Sequence, residues 1–435
     1  MIDIDKLTNI LNESSVDYAD FRIFKQKDFE VALRCESFDI YEHSSKSIIC
    51  RAMVDGGYGV VSTDNFDMDY VKQMHKLAIK QAKICKSNAN LIPINVERGE
   101  FEHPIKKELE INEVCGFLRD IEKKIKDLLA QFYTRSELIL SYHDLESNFI
   151  SSEGTYVKEC KHLIEMIIYI LVKDYAQGYS SKIIGGMGGY EIILQQSWDE
   201  IIEGLVKRAK SSSKASSSKF NGEKLKVILD YEGAGAIAHE VAHMLEADIY
   251  QRKLFANFNL NDLEIIDDPT LINGYGSFYW DDEGVKSLRK CLISKDGINL
   301  LHTRLTAKIG EVAGNAHGIT HKPRPMMSNI FIKPSDWKFK EIFEETKYGI
   351  FTEGIIRAEI DATNGRIEII PEIAYLIEGR RITKPIKNFR IIGNIEDLQK
   401  IDAISEEYFL RPNVEKGYPI SEGGPYIRIN GINCY

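Results

Sequence analysis

Two histidines and a glutamate stand close together at His239-Glu240-Val241-Ala242-His243, just after a run of alanine and glycine. On an α-helix four residues advance about 400°, so both imidazoles leave from one side, one turn apart. Two such rings can hold one metal ion. A glutamate beside the first can take a proton from water and deliver it to a leaving amine. A bound zinc ion would lower the pKa of its water toward about 7 and polarise a scissile carbonyl. The pattern points to a zinc hydrolase of peptide bonds, with His239 and His243 on the metal and Glu240 as general base. Glu246 shares the stripe, because seven residues return a helix to within about 20° of its start. Spacing leaves Glu246 three roles: a third ligand, a carboxylate that orients an imidazole, or a surface charge.

Other segments offer further donors. Asp281-Asp282-Glu283-Gly284 groups three carboxylates that could orient ligands or bind a substrate amine, while the residues alone favour a solvated turn. His317 and His321 lie in a glycine-bearing stretch that reads as a loop, where histidines are common without metals.

The elements that must position these groups are partly readable. A short apolar strand over 225–229 feeds the histidine helix. Downstream, the turn dipeptides Asp296-Gly297, Asn364-Gly365 and Glu378-Gly379 punctuate β-prone runs, which predicts a curved sheet or barrel carrying the helix on one side. Upstream, strands are expected at 47–54 and 60–63 around Asp55-Gly56-Gly57, and at 148–151 and 156–159 around Glu153-Gly154. Helices are expected over 69–85 and 111–129. The serine-rich run 209–219 reads as a flexible connection. The expected class is α+β: an N-terminal α/β domain (1–210), a serine-rich linker or loop (211–222) and a β-rich domain with the histidine helix (223–435).

Composition narrows the class of partner. A formal net charge of −10 argues against nucleic acid or an anionic membrane surface. The N-terminus carries acids where a signal peptide would carry bases, and the longest apolar stretch, 163–172, is too short to span a bilayer. Seven widely spaced cysteines with no CxxC pair suggest free thiols in a reducing compartment, hence a cytoplasmic protein.

The segment 230–248, with its HExxH, resembles the metal-binding helix of the TldD/PmbA family of metallopeptidases, and Asp281-Asp282-Glu283-Gly284 matches that family's DDEG. Further matches run in order along nearly the whole chain: Tyr18-Ala-Asp-Phe-Arg22, Asp55-Gly-Gly-Tyr-Gly59, Ser152-Glu-Gly-Thr155, Gly314-Asn-Ala316, Met327-Ser-Asn329, the stretch 372–379 and Ile391-Ile-Gly-Asn394. The resemblance implies a two-subunit assembly enclosing the active site, either a homodimer or a heterodimer with a PmbA/TldE-like subunit. It implies activity on small or unfolded peptides, one Zn2+ per chain and a TldD-like catalytic role. It also shifts the expectation for Asp282 and Glu283 from a solvated turn to the site.

Two departures qualify it. The family pattern is HExxxH, and five residues advance about 500°, which would need a local π-bulge to realign the second ring. The shorter HExxH is expected to restore the pair on a straight helix. The family's cysteine ligand, in a CGKxGQ-like segment, is also missing: the corresponding stretch 411–417 has Glu415 as its nearest carboxylate, and Cys434 lies beyond the last strand. Glu415 is therefore the expected third ligand, with Glu246 the next candidate and outright loss of a third ligand also open. The rival reading is a non-catalytic subunit or peptide-binding relative that has lost its metal.

Overall fold

A computed structural model describes residues 3–12, 15–85, 87, 89–255, 263–318 and 322–435. Its first half is built on a seven-stranded sheet in the order Gly57–Thr63, Ser37–Val54, Tyr18–Arg34, Tyr133–Ser151, Tyr156–Lys173, with Arg98–Glu102 and Gln177–Met187 both pairing with Tyr156–Lys173. Neighbours are antiparallel except Arg98–Glu102, so hairpin turns and not helical crossovers join most strands. Asp55 and Gly56, with φ of 49° and 72°, make the tight turn of one such hairpin.

These strands run well beyond the short segments expected from the sequence. Ser37–Val54 begins ten residues before its apolar part, and residues 37–46 are largely exposed, so no buried face imposes an alternation there. Helices Met68–Ile84 and Ile111–Leu129 pack on one face of the sheet. The first is capped by Asp67, whose side chain accepts from the backbone N–H groups of Asp69 and Tyr70.

The serine run departs from the expected flexible connection. Helix Trp198–Lys214 continues through its first residues, and Ser212 and Ser213 are buried. Ser213 Oγ donates to the Lys210 carbonyl, and Ser212 Oγ accepts from Tyr179 N–H. Short hydroxyl side chains satisfied in this way fit the close approach to Gly178, where a Cβ would stand 2.3 Å from Ser213 N.

In the second half five strands close a barrel: Glu223–Leu229, Tyr348–Ile360, Arg366–Glu378, Ile391–Asn394 and Tyr418–Cys434. Val227, Leu229, Ile350, Ile427 and Ile429 share one core with Ala234, Ile237, Ala238 and Val241 of helix Tyr231–Met244. The alternate residues Ile228, Phe351 and Tyr375 face a second cluster beneath helix Phe339–Glu345. Among the described residues no helix is long and apolar enough to cross a membrane.

Candidate metal centre

Helix Tyr231–Met244 starts where Asp230 caps it, accepting from Gly233 N–H at 3.0 Å. The second Asp230 oxygen accepts from Gly354 N–H at 2.8 Å, tying the cap to strand Tyr348–Ile360. The helix is small-residued because it lies directly on a strand: a Cβ on Gly235 would stand 2.5 Å from Gly423. Its α-helical hydrogen bonding runs without a bulge through both histidines.

The two rings turn toward each other, with His239 Nε2 and His243 Nε2 3.1 Å apart. Nitrogens bound to one ion at about 2.05 Å in a tetrahedral arrangement stand about 3.3 Å apart, so the pair fits a single zinc ion. Glu415 ends strand Ile401–Glu415, and Lys416 and Gly417, with φ of 51° and 84°, form the two-residue turn into Tyr418–Cys434. That turn brings Glu415 Oε2 to 3.6 Å from His239 Nε2 and Oε1 to 3.6 Å from His243 Nε2. His239, His243 and Glu415 offer ligand atoms that all lie within 4.8 Å of one another, an N, N, O donor set that zinc accepts.

Carboxylates also stand behind both rings. Glu246 Oε1 lies 2.7 Å from His243 Nδ1, and Glu422 Oε2 lies 2.7 Å from His239 Nδ1, the latter too oblique for a well-formed hydrogen bond. Carboxylates on the Nδ1 atoms favour protons there and leave the facing Nε2 lone pairs for a cation. Burial alone would depress the His239 pKa, yet Glu415 and Glu422 raise it to about 10. His243 is raised likewise, by Glu246 and Glu415 against burial. Contact with the two histidines holds the Glu415 carboxyl well below its ordinary range. The pocket thus seeks positive charge.

Behind Glu422 a chain of polar groups runs into the first half of the molecule. Arg411 Nε donates to Glu422 at 3.0 Å, and Arg411 Nη1 lies 3.3 Å from Glu232. Tyr231 OH donates to Glu232 at 3.1 Å and meets the Lys182 ammonium. Glu422 escaped the sequence reading because no spacing rule links the last strand to the helix it underlies.

Glu240 lies beside this cluster and not within it. Its Oε2 accepts from Ile360 N–H at 3.1 Å, and burial raises its carboxyl pKa against the nearby His239 and the Ile360 amide. Glu246 is almost wholly buried against the His243 ring, which leaves no room for the surface-charge reading.

Asp282 and Glu283, which the DDEG match assigned to the site, make their described contacts with other partners. Asp282 Oδ2 accepts from Gly318 N–H at 2.6 Å and from Tyr418 OH, while Glu283 pairs with Arg51 and accepts from Arg304 N–H at 2.5 Å. Asp281 accepts backbone N–H groups of Glu283, Val285 and Ala316. These contacts tie the loop to itself, to other segments of the second half and, through Arg51, to the first half. Asp282 reaches the metal centre only by anchoring Tyr418, at the foot of the turn that carries Glu415. His317 packs between Phe278 and Tyr418, with ring centroids at 5.2 and 4.7 Å, away from the histidine pair. His321 lies outside the described residues.

Comparisons with known proteins bear on the chain as a whole. Residues 222–435 match the model of the PmbA/TldA metallopeptidase C-terminal domain. A metalloprotease of Methanocaldococcus jannaschii is 29% identical over 98% of this chain and 99% of its own length. A zinc metalloprotease TldD homolog of Saccharolobus solfataricus is 29% identical over 54% of this chain and 56% of its own. The crystal structure of TldE from Thermococcus kodakarensis superposes with a TM-score of 0.78, at 17% identity, over 99% of both chains, and so shares the fold. Together these similarities support a protein of the TldD/PmbA family.

Proposed function

We propose that the protein is a zinc-dependent metallopeptidase acting on small or unfolded peptides, with His239, His243 and Glu415 holding the metal and Glu240 moving the proton. The observation that carries this reading is the convergence of the two Nε2 atoms with the Glu415 carboxylate. When bound, zinc supplies a Lewis acid that acidifies water and polarises a carbonyl. Glu246 fixes the His243 ring through Nδ1, and Glu422 sets its charge beside His239 Nδ1. Glu240 is held by the Ile360 N–H, and its raised carboxyl pKa suits a group that accepts a proton at Oε and returns it to the leaving amine. The family's pairing of TldD-like and TldE-like chains supports an assembly of two subunits.

The test is metal content and turnover together. Protein purified without added zinc should carry close to one equivalent, and Glu240→Gln should retain that metal while losing cleavage of an unstructured peptide mixture by about 100-fold or more. Less than about a tenth of an equivalent, with no uptake of added divalent metal, would establish the metal-free relative instead.

A further inference from the structure

The N-terminal sheet has two unlike faces. Val31, Leu33, Leu140, Ile164 and Met166 turn toward the helices. Phe24, Leu145, Ser147 and Leu163, on the opposite face of the same strands, turn toward the second half of the chain. The two halves do not close over them. A cavity of about 480 Å3 remains, roofed by Tyr275, Phe278, Trp280, His317 and Tyr418. That volume lies in the range of small-ligand pockets, about 300–1,000 Å3.

The cavity is distinct from the metal centre, since none of His239, His243 and Glu415 lines it. It nevertheless abuts the hairpin that carries Glu415. Val414 and Gly417, on either side of Glu415 and Lys416, both form its wall. One hairpin turn presents a carboxylate to the histidines and its flanks to the cavity.

Most of the exposed wall is apolar, with serine, threonine, lysine and acidic side chains such as Ser62, Thr63 and Asp64 also reaching it. Charged groups at the margin are largely engaged already: Lys25 pairs with Glu146 at 2.6 Å, Lys46 and Lys161 lie over the rings of Phe66 and Phe278, and Asp282 is bound by Tyr418 and Gly318. Burial drives the His317 pKa down to about 4, so it contributes an uncharged ring to the roof. A charged occupant finds few free partners here, and an apolar one finds stacked rings.

We propose that this cavity is a specificity pocket for an aromatic or large aliphatic side chain of the peptide whose backbone crosses the Glu415 turn to the metal centre; the assignment rests on the peptidase reading above.

The test is calorimetric binding of blocked glycine–alanine decapeptides that differ at one central position, phenylalanine or serine, to the full chain carrying Glu240→Gln. The phenylalanine peptide should bind at least about 10-fold more tightly. Ser147→Trp, which fills the cavity from its floor, should erase that preference while leaving zinc uptake unchanged. Phe278→Ala, which removes a roof ring, should reduce it without filling anything and covers the case in which the larger residue disturbs folding. Equal affinity for the two peptides, or a preference that survives both substitutions, would overturn the proposal. Cleavage of both peptides by wild type with no preference sinks the pocket alone. Absence of cleavage with an intact, Ser147→Trp-sensitive preference sinks the peptidase reading and leaves the pocket standing.

Discussion

Gly235 of the histidine helix and Gly423 of the last strand lie in backbone contact, so close that a Cβ on Gly235 would meet Gly423 Cα and N at 2.5 Å. The obstacle is backbone and cannot swing aside. Gly235→Ala must lift the helix from the barrel, and the expected cost is about 1–3 kcal/mol of stability. Because the lift also separates the histidines from Glu415 on the neighbouring hairpin, zinc affinity should fall in the same variant. Urea unfolding and a chelator competition measure the two effects.

The carboxylates behind the rings should be worth nearly as much to the metal as the ligands. Glu246→Gln and Glu422→Gln each replace a charged partner of an Nδ1 atom by a neutral one of the same shape. Each should weaken zinc binding by about 10–100-fold. Glu415→Ala, which removes a donor outright, should weaken it further. Equal affinity for zinc in Glu422→Gln and wild type would remove Glu422 from this role.

Arg51 is fully buried between Asp20 of the first sheet and Glu283 of the DDEG loop. Arg51→Met would leave two buried carboxylates without their shared cation. A loss of about 3–5 kcal/mol is expected from denaturant unfolding. The histidines and Glu415 are untouched, so zinc stoichiometry in the folded fraction should be unchanged.

His317 supplies a pH signature. Burial lowers its pKa from 6.5 to about 4. The unfolded chain therefore binds the proton more readily between these values, and stability falls as pH is lowered through that window. Relative to His317→Gln, the wild type should lose up to about 2 kcal/mol between pH 7 and pH 5. The comparison with the variant matters because buried carboxyls such as Asp267, raised by burial to about 6, respond in the opposite direction over part of the same range. Parallel curves for the two proteins would mean that His317 is not held neutral.

Much of the centre was legible because it is local. That His239 and His243 leave one side of a helix follows from four-residue spacing. Glu246 was expected on the same helical stripe, but the helix ends at Met244, and Glu246 reaches the His243 ring from the turn beyond it. The β-rich second half was likewise readable from its turn dipeptides and apolar runs. Tertiary structure decided what spacing could not. Glu415 reaches the rings only because residues 401–415 pair with the final strand and a two-residue turn points its carboxylate inward. Glu422 stands behind His239 only because the helix crosses that strand at Gly423. Asp282 and Glu283 carry the same charges as a ligand set, yet tertiary packing gives them to Tyr418 and Arg304 of the second half and to Arg51 of the first. Helical periodicity is written into consecutive residues, whereas the partner of a buried carboxylate is fixed by chain segments that meet only after folding.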